Sequence, residues 1–212
     1  MDYRKLHKDR RRFLRDNKEK DFTLINGKNY VLLSSPHGVY QTRLGKTKVP
    51  EIGSLATSLY LSRAKQTYFI AKTKNNFDDA NFDMVSSYKD AIDVLATSGK
   101  IRYVLDFHGM AAFRDIDINL GTNFEQNTKE DKKLLDYLIK ELKENGFSVS
   151  CDIPFKSGGS TIAGYTKARH NNLWTLQIEI NCKITNKKEN FEKWQLLLTV
   201  FEKVLDKILK ES

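Results

Sequence analysis

The chain has 212 residues, of which 40% are hydrophobic and 30% charged, and a formal net charge of +9. That is enough chain for one generous domain with a full core and no stapling, and two cysteines, Cys151 and Cys182, exclude a disulfide framework and fit no zinc-knuckle spacing. No uncharged apolar run approaches the ~20 residues of a membrane span, and no secretory apolar stretch opens the chain, so a cytoplasmic protein with no membrane partner is expected.

Residues 1–20 carry nine Lys/Arg against four Asp/Glu, which is more than half of the net charge in a tenth of the chain. Such a run reads as the solvated face of a basic helical segment, 1–22, ahead of a catalytic domain at 23–212. No RNA-binding aromatic signature, zinc finger or P-loop accompanies it, so nucleic acid is disfavoured as a partner.

From there strand and helix patterns alternate. Residues 29–35 read as a buried strand ending at Pro36-His37-Gly38, 54–65 as a helix, and 67–71 as a second strand. A polar loop through Lys74 and Asp79 leads to a helix capped by Asp83 and stopped by Gly99. A third strand, 101–107, ends at His108-Gly109. After a long loop, Thr128 opens a helix that stops at Asn145-Gly146, and 147–152 is a fourth strand. The glycine-rich Lys156-Ser157-Gly158-Gly159-Ser160 precedes a fifth strand, 174–180, and a last amphipathic helix covers about 191–209. This order predicts a single layered α/β domain with a mainly parallel or mixed central sheet. In such sheets ligands bind beyond the carboxyl ends of the strands.

The chemically capable residues fall at that edge. His37 follows the first strand, His108 follows the third, Glu179 lies near the end of the fifth, and Glu51 sits between His37 and the next helix. Glu179 stands between Ile178 and Ile180, and an ionised carboxylate is seldom buried without a partner or a metal. Two imidazoles and a carboxylate suit zinc and leave a fourth position open, which is the recipe for metal-assisted amide hydrolysis with a nearby carboxylate moving the proton.

Ser34-Ser35-Pro36-His37-Gly38, Asp106-Phe107-His108-Gly109, Gly158-Gly159 and Gln177-Ile178-Glu179-Ile180-Asn181, in that order, resemble the N-formylglutamate amidohydrolase family, which is related to zinc carboxypeptidases. The resemblance implies a three-layer α/β/α hydrolase-like fold and one catalytic zinc held by His37, Glu51 and His108, with Glu179 as general base. Asp78 and Asp106 compete with Glu51 for the third place, Asp106 being better suited to orient a ligand. The implied substrate is a small acidic amide or peptide: an N-acyl amino acid of the N-formylglutamate kind or a glutamyl peptide. The family's Asp-x-Asn-Arg stretch is replaced here by Lys74-Asn75-Asn76-Phe77-Asp78, which keeps Asn76 as a substrate contact but has no arginine. Arg114 is the alternative guanidinium, either clamping a substrate carboxylate, steadying the oxyanion, or paired with Asp115 or Asp117. Gly158, Gly159, Lys156 and Arg169 are further binding candidates around the glycine-rich loop, and His170 is expected at the surface. Two other readings remain: a carboxypeptidase-like or poly-γ-glutamate hydrolase on the same fold, and a non-catalytic binding protein that uses its basic N-terminal helix.

Overall fold

The computed structural model describes residues 2–210. In chain order the elements are α1 (Tyr3–Asp16), β1 (Phe22–Ile25), β2 (Val31–Ser35), β3 (Gln41–Arg43), β4 (Lys46–Lys48), α2 (Ile52–Lys65), β5 (Tyr68–Lys72), α3 (Ser87–Thr97), β6 (Tyr103–Met110), β7 (Ile118–Gly121), α4 (Lys132–Glu144), β8 (Val149–Cys151), α5 (Ile162–Arg169), β9 (Trp174–Asn181), α6 (Cys182–Thr185) and α7 (Phe191–Lys210). Seven strands form one sheet in the order β1-β5-β2-β6-β9-β7-β8, and β3 and β4 form a separate hairpin. The centre, β5-β2-β6-β9, is parallel; β1 pairs antiparallel with β5, β7 pairs antiparallel with β9, and β8 pairs parallel with β7. The mixed three-layer α/β/α sheet expected from the sequence is therefore the one found.

Both faces of the central strands are covered, which is why these segments read as continuous apolar runs. Alternation by two sends Val31, Leu33, Phe69, Leu105, Phe107, Leu176 and Ile178 to the side of α1, α2, α4 and α7. Leu32, Ile70 and Val104 face the other side, with Tyr88, Ile92 and Leu95 of α3 and Ile162 of α5. The basic α1 joins the first of these cores: Leu6 and Phe13 are buried, and the Phe13 ring meets Phe69 edge-on at 5.5 Å.

Several boundaries moved for identifiable reasons. Asp83 does not cap α3; its carboxylate accepts from the Asp79 N–H at 2.8 Å and closes a turn, and the helix begins at Ser87. Asp131, not Thr128, caps α4 by accepting from the Leu134 N–H at 2.9 Å. The expected loops also hide β1, β3, β4, β7 and α5. The four strands have only three or four residues, too few for a period to show. Helix α5 has only eight residues with Gly164 among them; a Cβ at Gly164 would lie 2.9 Å from the Ser157 carbonyl oxygen, so the glycine permits a close approach that weakens the helical signal.

The register sets up a polar row on the α3 side of the sheet. Ser34 pairs with Asp106, Asp106 with Gln177, and His108 with Glu179. Since paired residues share a face, three adjacent strands aim polar groups at one place near their carboxyl ends.

Candidate metal centre

His37 leaves the end of β2, and Glu51 is the residue immediately before α2; the Glu51 N–H donates to the His37 carbonyl at 2.9 Å, which brings the two together despite the hairpin between them. His108 reaches the same place from β6. Glu51 Oε1 lies 2.8 Å from His37 Nδ1, and Glu51 Oε2 lies 3.4 Å from His108 Nδ1. Oε2 also accepts the Gly109 N–H at 2.8 Å. A Cβ at Gly109 would sit 3.3 Å from Glu51 Cβ, so the glycine after His108 admits the Glu51 side chain.

The two Nδ1 atoms face each other at 3.2 Å. Each ring is held from behind by a buried carboxylate: His37 Nε2 lies 2.9 Å from Asp79 Oδ1, and His108 Nε2 lies 2.8 Å from Asp106 Oδ2. An Nε2–H donating outward leaves each Nδ1 lone pair turned inward, the tautomer a metal ligand needs. His37, Glu51 and His108 offer ligand atoms that all lie within 4.8 Å of one another. Two nitrogens each about 2.0–2.1 Å from a tetrahedral zinc would stand about 3.3 Å apart, close to the observed spacing of the Nδ1 pair.

Charge supports the same fit. With neutral rings, the four carboxylates Glu51, Asp79, Asp106 and Glu179 would outnumber the cations beside them: Arg43, which pairs with Asp79 Oδ2 at 2.7 Å, and the buried Lys89, whose charge acts on Asp79 and Asp106. Without a metal the rings take up protons instead. Burial lowers the His37 pKa, but Glu51 and Asp79 outweigh it and raise it to about 9; His108 is likewise driven well above its ordinary value by Asp106 and Glu51 against the cost of burial. Burial raises the Glu51 carboxyl, yet the two imidazoles pull it down to about 2. A divalent cation at the two Nδ1 atoms would replace those protons.

Glu179 differs. Burial dominates and lifts its pKa to about 7, with the Glu51 charge adding and the two histidines opposing. Gln177 donates from Nε2 to Glu179 Oε1 at 2.9 Å, which orients the carboxylate. The group is buried, only 6% exposed, and paired in register with His108.

An open cavity of about 690 Å³ contains His37, Glu51, His108 and Glu179 in its wall, together with Arg43 and Lys48 of the hairpin, Arg114, Lys156, Ser157 and Gly158. Arg114 forms no ion pair among the described residues. Its guanidinium stacks over the Phe113 and Phe155 rings at 5.5 and 4.9 Å, while Asp117, a suggested partner, pairs with Lys183 and Lys193.

Other candidates lie elsewhere. Asn76, exposed, donates to Asp21 Oδ1 at 2.7 Å, and Asp78 binds the buried Lys72 ammonium at 2.8 Å, so neither faces the cavity. Arg169 pairs with Asp93 at 2.7 Å, and His170, expected at the surface, is half-buried against the same Asp93 at 2.9 Å. Gly159 does not line the cavity; it takes a left-handed turn at φ +62°. Asp106 holds His108 from behind and is not a member of the inner donor set. Sequence reasoning missed Asp79, Arg43 and Gln177. Gln177 carried a signal, since it stands two before Glu179 on the same strand face, whereas Asp79 and Arg43 are loop and hairpin residues with no periodic mark.

Comparison with known proteins follows these lines. Among solved structures, an N-formylglutamate amidohydrolase from Ralstonia eutropha JMP134 aligns with a TM-score of 0.68 at 16% identity, covering 91% of this chain and 99% of that one. A bacteriophage poly-gamma-glutamate hydrolase aligns at TM-score 0.55 and 10% identity, over 91% of each chain. A metallo-carboxypeptidase from Burkholderia cenocepacia aligns at TM-score 0.55 and 10% identity, over 88% of this chain and 61% of its own. At such identities these establish a shared fold. No curated protein matches the chain by sequence. A family model does match: it spans His108, Arg114, the glycine-rich loop and Glu179, with His37 and Glu51 lying ahead of it. The resemblance carried by the motifs is thus borne out, for residues 86–185 match the N-formylglutamate amidohydrolase family.

Proposed function

We propose that the chain is a zinc-dependent hydrolase that cleaves the amide bond of an acidic N-acyl amino acid, of the N-formylglutamate kind, or of a glutamyl peptide. The observation that carries this is the convergence of His37 Nδ1, His108 Nδ1 and the Glu51 carboxylate, with the buried Glu179 paired opposite His108. The family match over residues 86–185 supports amide hydrolysis, and the metallo-carboxypeptidase of the same fold supports a metal.

Zinc bound there supplies a Lewis acid that acidifies water and polarises a carbonyl. The remaining work belongs to the protein. His37 and His108 present Nδ1 because Asp79 and Asp106 occupy Nε2. Glu179, ionised and oriented by Gln177, accepts the proton of the attacking water and returns it to the leaving amine. Burial raises the Glu179 carboxyl above its ordinary value in the metal-free chain, and a cation at the adjacent donor set would oppose that rise. Arg114, which pairs with no carboxylate among the described residues and lies over the Phe113 and Phe155 rings, is the group that would receive a substrate carboxylate, and Lys48 and Lys156 add positive charge at the cavity wall. A clamp on a terminal carboxylate also fits the carboxypeptidase-like alternative, which differs only in which amide is presented to Glu179.

The test is a hydrolysis screen of N-acyl glutamates, N-acyl aspartates and γ-glutamyl peptides with purified, zinc-loaded protein. Turnover that disappears with chelation and returns with zinc is expected. Full zinc occupancy with no hydrolysis across the panel would overturn the reading.

A further inference from the structure

We infer that Arg43, on the exposed β3–β4 hairpin, is a positioning residue for the ligand His37, so that the hairpin is a structural part of the metal centre. The inference rests on the metal reading above but concerns residues outside the donor set. The hairpin is inserted between His37 and Glu51, and on its own it has little to hold it. Each strand has three residues, all of β4 is exposed, and the turn runs through Leu44 at φ 50° and Gly45 at φ 73°. An isolated two-stranded hairpin of this size is marginal at best in water, and a leucine in the left-handed region adds strain.

Its anchors come from the 75–82 segment, beginning with Asn75 Nδ2, which donates to Thr42 Oγ1 at 3.4 Å. The Thr42 N–H donates to the Asp78 carbonyl at 3.0 Å, the Arg43 guanidinium lies 5.0 Å from the centre of the Phe82 ring, and Arg43 Nε and Nη2 both approach Asp79 Oδ2, at 2.8 and 2.7 Å. The side chain of Asp79 is wholly buried, and its other oxygen, Oδ1, receives the Asn81 N–H at 3.0 Å and faces His37 Nε2 at 2.9 Å. One carboxylate therefore joins hairpin to ligand. Two guanidinium nitrogens hold Oδ2 while the Asn81 N–H holds Oδ1, so the carboxylate is fixed at both oxygens where it meets the imidazole. Without Arg43 the carboxylate keeps its contacts at Oδ1 but loses its hold at Oδ2, and the ring it supports is oriented less firmly.

The experiment compares zinc affinity, by competition with a chromophoric chelator, and the melting temperature of the metal-free protein for wild type, Arg43→Met, Arg43→Lys and Lys46→Met. Loss of outer support for a ligand costs about 10–100-fold in metal affinity, and Arg43→Met is expected in that range with a melting temperature close to wild type. Arg43→Lys keeps the charge but not the fork and is expected to fall between. Lys46→Met, on the same hairpin, is expected to bind zinc as wild type does. Unchanged affinity in both Arg43 variants would overturn the inference, as would an equal loss in Lys46→Met. Should Arg43→Met fail to fold, Arg43→Lys decides: wild-type affinity overturns the role of the fork. A wild-type chain that binds no zinc would overturn the metal centre itself, a result distinct from any of these.

Discussion

The centre contains two histidine–carboxylate pairs that do the same job by different means. His108 and Asp106 stand two apart on β6, so the pleat itself places them on one face. Asp106 Oδ1 then accepts from Ser34 Oγ on the neighbouring strand at 2.7 Å, and that hydroxyl lies 2.9 Å from the buried Tyr88 OH. His37 and Asp79 come from two irregular segments 42 residues apart, and Asp79 is steadied by an arginine from an exposed hairpin. One pair is built into the sheet and the other is assembled from loops. An identical contact can thus be rigid by local geometry or held by a removable brace.

The largest expected effect comes from sparing both pairs and removing only the proton acceptor. Glu179→Gln should keep zinc and fold normally, yet lose about 10²–10⁴ in kcat. Zinc content and turnover on the same preparation check this; normal turnover at full zinc would place the base elsewhere. Next, the pairs themselves can be cut one at a time. Asp79→Asn and Asp106→Asn should each weaken zinc by about 10–100-fold, but Asp106→Asn should also lower the melting temperature more, because it disturbs the core hydrogen bonds of Ser34 and Tyr88. Equal melting temperatures would dissolve the contrast between sheet and loop.

A milder cut is Ser34→Ala. It removes the buried hydrogen bond to the Asp106 carboxylate and the contact with Tyr88 OH; a hydrogen bond to a charged group is worth about 1.5–3 kcal/mol, and chemical denaturation should shift by about that amount with zinc affinity little changed. The smallest effect is in pH. In the metal-free chain the folded His37 titrates near 9, above its ordinary 6.5, so its stabilising contribution is complete below pH 6.5 and is lost as pH rises through 9. His108 shifts in the same direction. Melting temperature measured with chelator present should therefore decline across that window, and Asp79→Asn should flatten the decline. A slope unaffected by Asp79→Asn would mean that Asp79 does not hold the His37 proton.

The contrast also marks what was legible in advance. Asp106-Phe107-His108 and Gln177-Ile178-Glu179 carry the period of a strand, and the buried runs around them announced the central sheet. Leu6 and Phe13 show the limit of reading charge alone: the residues between their cations seat α1 in the core, where burying a large apolar side chain is worth about 1.5–3 kcal/mol. The β7 strand gave little warning, since four residues with Asn119 among them show no period, although all four are buried in the sheet.

By itself the sequence determined the strand order's chemistry: which segments are buried on both faces, which histidines end them, and which carboxylate is trapped among isoleucines. These follow from local rules, the alternation of a strand and the cost of burying a charge. Only the tertiary structure decided that the Glu51 carboxylate meets both imidazoles, that Asp79 and not Asp78 contacts His37, and that Arg114 has no ion-pair partner among the described residues while Arg169 does. Such pairings depend on how separate segments pack. Glu51 reaches His108 because Gly109 leaves it room, and Asp78 turns away because the buried Lys72 ammonium claims it. Neighbouring aspartates with the same intrinsic chemistry were separated by the positions of their cations.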